Sequence, residues 1–208
     1  MKQRIPLLLA AGIFPLATNA VAGDFVAHTY LNADLGAAFE QKVGIQGADR
    51  IDFHNGVRGD IAIGYQATEW FAAEFATGVI WNSADRIGNA QVTSFDASLD
   101  LYQIPIMANF IFSTPSWHGF KPYLGAGGGG VAAMIDFQRP LGSIRDTDLV
   151  IGYQGFAGLN YQISEHVTAG LGYKYLRSED HSWIENGVTL KTGGTAVHSV
   201  TASVIWSF

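Results

Sequence analysis

The neighbouring residues His198 and Ser199 are the pair in this sequence that most directly suggests catalysis. An acyl hydrolase needs a serine nucleophile, a histidine within hydrogen-bonding reach of it and a carboxylate that orients the histidine. Neighbouring residues on a β-strand point to opposite faces, so a strand at this position would separate the two side chains. The secondary structure around them therefore decides whether they can react together.

The remaining chemically active residue types point to no cofactor and no metal. The chain contains no cysteine, and its six histidines share no spacing typical of metal ligands. Nucleic acid is excluded as a partner because the formal net charge is −6, whereas nucleic-acid binders carry a basic surface. The sequence thus predicts no catalytic, cofactor-binding or metal-binding residues.

Apolar and polar residues alternate through most of the chain from Phe25 onward. A period of two is typical of β-strands whose two faces meet different surroundings. The first such segment is longer than a strand of a soluble protein and suits a tilted strand that crosses a membrane. The alternation predicts eight strands, at residues 25–39, 53–65, 71–81, 93–112, 120–137, 149–161, 167–177 and 196–208.

Two of these segments are irregular. In the fourth, the apolar set changes parity beyond Leu101, and a β-bulge between Gln103 and Pro105 would explain the change because an inserted residue reverses the faces. In the fifth, the glycine-rich run at 125–130 leaves the faces unassigned. No Gly-Lys-Ser/Thr motif follows that run, so it does not resemble a phosphate-binding loop.

Charged side chains on the polar faces would lie inside a closed sheet. An eight-stranded interior is just wide enough to be filled by side chains, which leaves little room for water. The buried charges would therefore have to form ion pairs with one another. A first hairpin centred near Gln46 places Asp34 opposite Arg58 and predicts a direct ion pair between them. The predicted interior charges are Asp34, Arg58, Asp60, Glu74, Asp96, Asp100 and Lys174.

The first residues of the chain predict export. A short basic region at residues 1–4 precedes an apolar stretch and the small residues Ala20 and Ala22, which is the anatomy of a secretory signal peptide. Cleavage after Ala22 gives a signal peptide at 1–22 and one mature domain at 23–208, while cleavage after Ala20 stays open. Beyond this segment no apolar run reaches the 18 residues that indicate a transmembrane helix.

The connections between the predicted strands alternate strictly between short and long. Short turns at 68–70, 113–119 and 162–166 alternate with long polar loops at 40–52, 82–92, 138–148 and 178–195, the last of which suggests a hairpin around Trp183. Outer-membrane barrels have this asymmetry.

Aromatic residues near the strand ends predict two girdles, one at each end of the barrel. The girdle beside the long loops is formed by Phe39, Phe53, Trp81, Phe95, Phe137 and Tyr175. The predicted fold is an all-β, eight-stranded, up-and-down antiparallel transmembrane β-barrel.

The mature chain resembles the OmpA/OmpX-type and opacity-protein-like superfamily of outer-membrane β-barrels. The resemblance rests on the segments at 121–127 and 161–175 and on the closing segment at 200–208. In such proteins a terminal phenylalanine preceded by apolar residues at alternate positions is similar to the signal read by the barrel-assembly machinery. The matching residues are Val200, Ala202, Val204, Trp206 and Phe208.

The resemblance implies a location in the bacterial outer membrane, among its lipids and lipopolysaccharide, but it implies no single activity. Arg58, Tyr102 and Lys174 are predicted to obstruct the lumen, which disfavours a small-solute pore. A lipid A-modifying acyl hydrolase is the less favoured alternative because His198 and Ser199 would lie on opposite faces. The sequence therefore predicts a non-enzymatic structural or surface-interaction protein, with the long loops as the surface that binds an extracellular ligand.

Deletion of Phe208, or replacement of both Trp206 and Phe208 by Asp, is expected to reduce folded barrel in the outer membrane more than Ser207→Asp does. Both aromatic residues are predicted to face lipid, whereas Ser207 is predicted to face the lumen, where a charge costs less. Heat-modifiable electrophoretic mobility of outer-membrane fractions measures the folded fraction. Normal levels after deletion of Phe208 would contradict the role of this terminus.

Overall fold

The structure is a computed structural model that describes residues 28–44, 50–87, 90–91, 98–139, 142–185 and 188–208. The predicted signal peptide at 1–22, together with Asp96, lies outside these residues. Among the residues that are described, no helix is long and apolar enough to cross a membrane.

Thirteen strands make up the described secondary structure. Eight of them are long and form the barrel. Of the five short strands in the connections, three join the same sheet and two pair with each other. In chain order they are β1 (Thr29–Glu40), β2 (Val43–Gly44), β3 (Arg50–Phe53), β4 (Gly56–Thr68), β5 (Phe71–Ile87), β6 (Ala90–Gln91), β7 (Ser98–Ser113), β8 (Phe120–Arg139), β9 (Gly142–Gln162), β10 (Val167–Ser178), β11 (His181–Glu185), β12 (Val188–Thr192) and β13 (Ala196–Ser207).

The eight long strands form a closed antiparallel barrel in the order β1, β4, β5, β7, β8, β9, β10 and β13. The barrel closes because β1 also pairs with β13, from Tyr30 opposite Ser207 to Glu40 opposite Val197. Each long strand therefore has a hydrogen-bonded neighbour on both sides. This arrangement confirms the predicted eight-stranded, up-and-down fold.

The outer face of the barrel is apolar. Leu35, Ile61 and Leu171 are among many large side chains that point outward and are more than 60% exposed. A continuous apolar surface of this kind marks contact with a membrane rather than with water. Because hydrocarbon offers no partner for backbone N–H and C=O groups, only a closed sheet or a helix satisfies them there.

Glycines on the inner face of β8 make room for large neighbours. A Cβ atom at Gly125 would meet the ring of Phe156, and one at Gly127 would meet the side-chain oxygen of Asn109. The odd-numbered residues of the glycine-rich run thus face the lumen, which assigns the faces that the sequence left open. The inward glycines let neighbouring bulky side chains fill the barrel interior.

The predicted bulge in the fourth long strand is wrong. The register of β7 with β8 is continuous from Ser98 opposite Gln138 to Ser113 opposite Tyr123, and odd-numbered residues such as Leu101 face inward throughout. The apparent change of parity arises because Leu101 packs inside with Ala133, so apolar residues do not mark the outer face at this level. Phe53 is predicted to belong to the aromatic girdle beside the long loops, but it packs against Leu101 and Ala133 inside the barrel.

The connections at the end with long loops contain more strand than predicted. The ladder between β8 and β9 continues to Arg139 opposite Gly142, so the predicted loop at 138–148 is largely a strand hairpin. The predicted hairpin around Trp183 is present as β11 and β12, which pair from His181 opposite Thr192. We call this end of the barrel the loop end and the opposite end the short-turn end.

Gly129→Ala is expected to lower the free energy of unfolding by about 1–3 kcal/mol, the usual cost of overpacking. A Cβ atom there would collide with the backbone of Ile106 and Met107. Gly128→Ala is the matched control, because its Cβ would lie 3.8 Å from the Gly152 carbonyl oxygen, an ordinary contact. Urea unfolding in lipid vesicles measures both, and equal stabilities of the two variants would contradict the facing of β8.

Candidate functional site in the barrel lumen

An apolar layer crosses the lumen. It is one packed cluster, none of whose members is more than 1% exposed, and Val150 packs against it. Its members come from six of the long strands and meet inside the barrel because each occupies an inward position of its strand. They are Ala38, Ile80, Met107, Val131, Leu176 and Val197.

A network of charged side chains lies on the short-turn side of this layer. Arg58 donates from Nε to Oδ2 of Asp60 at 2.7 Å. Lys174 Nζ contacts the same Asp60 oxygen at 2.9 Å and Oδ2 of Asp34 at 2.6 Å. All four side chains are buried, so each charge depends on its partners rather than on water.

The predicted direct ion pair between Asp34 and Arg58 is wrong. In the ladder of β1 with β4, Asp34 lies opposite Asp60, and Arg58 lies opposite Gly36. The true register is offset by two residues from the hairpin centred near Gln46, which preserves the face of each side chain and changes its partner. Asp34 pairs instead with Lys174, which reaches it from β10.

The network continues across the lumen through amide side chains. Arg58 Nη2 donates to Gln154 Oε1 at 3.0 Å, and Gln154 Nε2 donates to Asn109 Oδ1 at 2.7 Å. Asn109 Nδ2 then donates to Glu74 Oε1 at 3.2 Å, and the Tyr30 hydroxyl donates to Glu74 Oε2 at 3.4 Å. Sequence reasoning missed both amides, although the polar parity of their strands could have indicated them.

A second polar group lies on the loop-end side of the apolar layer. Gln103 Nε2 donates to Glu40 Oε2 at 2.7 Å, and the Thr195 hydroxyl donates to Gln103 Oε1 at 2.8 Å. The hydroxyl of Ser178 contacts that of Thr195 at 2.9 Å. The apolar layer therefore separates two polar regions of the lumen.

A cavity of about 240 Å³ opens at the short-turn end and extends inward to the charge network. Asp34, Glu74 and Lys174 lie at its inner end. Ser116, Gly119 and other residues near the short turns line its mouth. We call this cavity the vestibule.

The sequence matches the family described as outer membrane protein beta-barrel domain over residues 7–208. The chain belongs to this family. No curated protein sequence matches it.

This outer-membrane barrel also shares its fold with solved structures. Neisserial surface protein A is 18% identical with a TM-score of 0.54, and the match covers 87% of this chain and 97% of that one. OprG from Pseudomonas aeruginosa is 12% identical with a TM-score of 0.57, covering 88% and 98%. A major outer membrane protein from Thermus thermophilus is 7% identical with a TM-score of 0.54, covering 86% and 99%. Identities this low establish the likeness of fold alone.

The outer-membrane barrel carries two of the predicted interior residues on its outside. Asp100 and Tyr102 occupy outward positions of β7, because the strand has no bulge to reverse its faces. The Asp100 carboxylate accepts a hydrogen bond from Trp81 Nε1 at 3.2 Å on the outer surface. Neither side chain therefore helps to fill the lumen.

His198 and Ser199 lie on opposite faces of β13. Ser199 is fully buried inside the barrel, whereas His198 is on the outer face, 2.6 Å from Gln41 Nε2 and in contact with the Tyr173 hydroxyl. This geometry keeps the histidine from acting directly on that serine.

The five residues of the predicted assembly signal share the outer face of β13 and the residue beyond it. The Phe208 amide donates to the Thr29 carbonyl oxygen at 3.2 Å, which ties the last residue of the chain to the start of β1. The reading of this segment by the assembly machinery stays a prediction.

Lys174→Met is expected to destabilise the barrel by about 3–5 kcal/mol, because it removes one partner of a buried ion pair and leaves Asp34 without its counter-charge. Lys42→Met is the matched control, since Lys42 and Asp52 form an ion pair with side chains 61% and 29% exposed. Its effect should stay below about 1 kcal/mol. Urea unfolding in vesicles compares the two, and similar losses would contradict the account of the network.

Proposed function

We propose that this outer-membrane barrel has a structural and surface-interaction role. The short-turn end faces the periplasm and the loop end faces the cell exterior, as in other outer-membrane barrels. The barrel is surrounded by outer-membrane lipid and lipopolysaccharide. Its C-terminal strand is read by the barrel-assembly machinery during biogenesis.

The apolar layer across the lumen is the observation that carries the proposal. A continuous path for hydrated solutes needs polar surroundings, and the six residues of this layer offer none. On the short-turn side of the layer, Arg58 and Lys174 form ion pairs with carboxylates and do not line an open channel. An eight-stranded barrel filled in this way serves as a rigid scaffold rather than as a pore.

The proposed interaction surface is the part of the barrel that continues past the membrane at the loop end. β8 has 20 residues and β9 has 21, whereas a strand needs about 9–11 residues to cross the hydrocarbon region. The β11–β12 hairpin lies beside β9 at the same end. Extended strands of this kind hold loops in fixed positions, and loops on a rigid scaffold commonly carry binding residues.

An acyl hydrolase is not proposed. The opposite facing of His198 and Ser199 supports a non-enzymatic role, since that serine has no histidine on its own face of the strand to act as its base. Release of fatty acid from phospholipid or lipopolysaccharide by the purified barrel, lost in Ser199→Ala, would favour the enzyme instead.

The purified protein is expected to give no steady single-channel current in planar lipid bilayers, because the apolar layer excludes hydrated ions. A general porin reconstituted under the same conditions serves as the positive control for insertion and detection. Heat-modifiable mobility verifies that the inserted protein is folded. Stable, reproducible conductance steps from the folded barrel would overturn the proposed role and identify a pore.

A further inference from the structure

The vestibule is lined by a combination of side chains that its structural role alone does not explain. Carboxylates, amide oxygens and aromatic rings meet around one open space of about 240 Å³. The residues that matter here are Tyr30, Asn32, Glu74, Tyr123, Phe156 and Asn160.

Glu74 has no ion-pair partner among the residues that the structure describes. It is 8% exposed, and its two oxygens accept hydrogen bonds only from the neutral groups of Tyr30 and Asn109. Arg58 and Lys174 are engaged elsewhere, because Lys174 contacts Asp34 and Asp60, and Arg58 contacts Asp60. Lys121 is a further cation in the lining, and it lies at the start of β8, at the short-turn end. An ionised buried carboxylate without a counter-charge is costly, so this end of the vestibule favours a positive charge.

Two amide oxygens near the vestibule are hydrogen-bond acceptors that no donor among the described residues satisfies. Oδ1 of Asn32 and Oδ1 of Asn160 are buried and have no hydrogen-bond partner. Asn32 is oriented by its own Nδ2, which donates to Asp34 Oδ2 at 3.5 Å and leaves the oxygen free. A ligand that satisfies these atoms must donate hydrogen bonds as well as carry positive charge.

Aromatic rings form another part of the wall. Tyr123 and Phe156 pack with ring centroids 6.4 Å apart, and Tyr30 lies over Gly64. The faces of such rings attract ammonium and guanidinium groups. A metal ion fits less well, since no group of three or more histidines and carboxylates suited to a metal occurs among the described residues.

We propose that the vestibule binds a small organic cation, of the primary ammonium or guanidinium class, with its charged group beside Glu74. The cation donates to the carboxylate and to the free amide oxygens, and its short apolar stem lies against the aromatic wall. The site is separate from the surface at the loop end, so its test is independent of the proposed surface role.

The test is a titration of the folded full barrel in lipid nanodiscs with methylguanidinium and propylammonium, followed by calorimetry and by NMR of the side-chain amides. The wild-type protein should bind both probes and shift the amide signals of Asn32 and Asn160. Glu74→Gln should weaken binding about tenfold or more, as loss of a charge-assisted contact does. Glu40→Gln is the matched control, because Glu40 is a lumen carboxylate on the other side of the apolar layer, and it should leave binding within about twofold.

Asn160→Ala provides a second variant should Glu74→Gln reduce folding, and it too should weaken binding while the barrel remains heat-modifiable. Propionamide, an uncharged probe of similar size, should bind much more weakly than propylammonium. The proposal is overturned if the wild-type protein binds neither cation, if Glu74→Gln binds them equally well, or if propionamide binds as tightly. It is also overturned if infrared spectra show that Glu74 is protonated when the cation is present at saturating concentration.

Discussion

The structure depends on one constraint: a backbone N–H or C=O group in hydrocarbon must find its hydrogen-bond partner within the protein. The pairing of β1 with β13 satisfies that constraint by giving the first and last long strands a neighbour each. Without this pairing both strands would expose an unpaired edge to lipid. Closure with eight strands in turn sets the width of the lumen, and that narrow width requires inward side chains to pack against one another.

The way in which the lumen is filled connects the fold to the proposed role. Inward glycines such as Gly125 and Gly127 admit Phe156 and Asn109, so bulky and polar groups fill the space that smaller neighbours leave. The ion pairs of Asp60 then lie on one side of the apolar layer, and the group around Gln103 lies on the other. The described part of the barrel has an apolar layer inside its lumen, an open vestibule at one end and extended strands at the other.

The sequence was sufficient to predict the barrel because lipid on one side and packed polar groups on the other impose a strict period of two. The alternation gives the correct faces for β13, where Trp206 is outside and Ser199 inside. It fails in β7, because the apolar Leu101 packs inside the barrel with Ala133, and the alternation therefore predicts the wrong face for Asp100. It also fails to pair Asp34 with Lys174, since a contact across the lumen depends on barrel closure and not on the geometry of one hairpin.

Accessibility of single cysteines tests the proposed sealing of the lumen most directly, because the chain contains no cysteine of its own. Lys42→Cys lies at the loop end, where the natural side chain is 61% exposed, and Ser203→Cys lies in the vestibule. In vesicles with the loop end outward, a small charged thiol reagent added outside should label Lys42→Cys and leave Ser203→Cys unlabelled until detergent opens the vesicles. Labelling of both positions in intact vesicles would show that the lumen is open and would contradict the account.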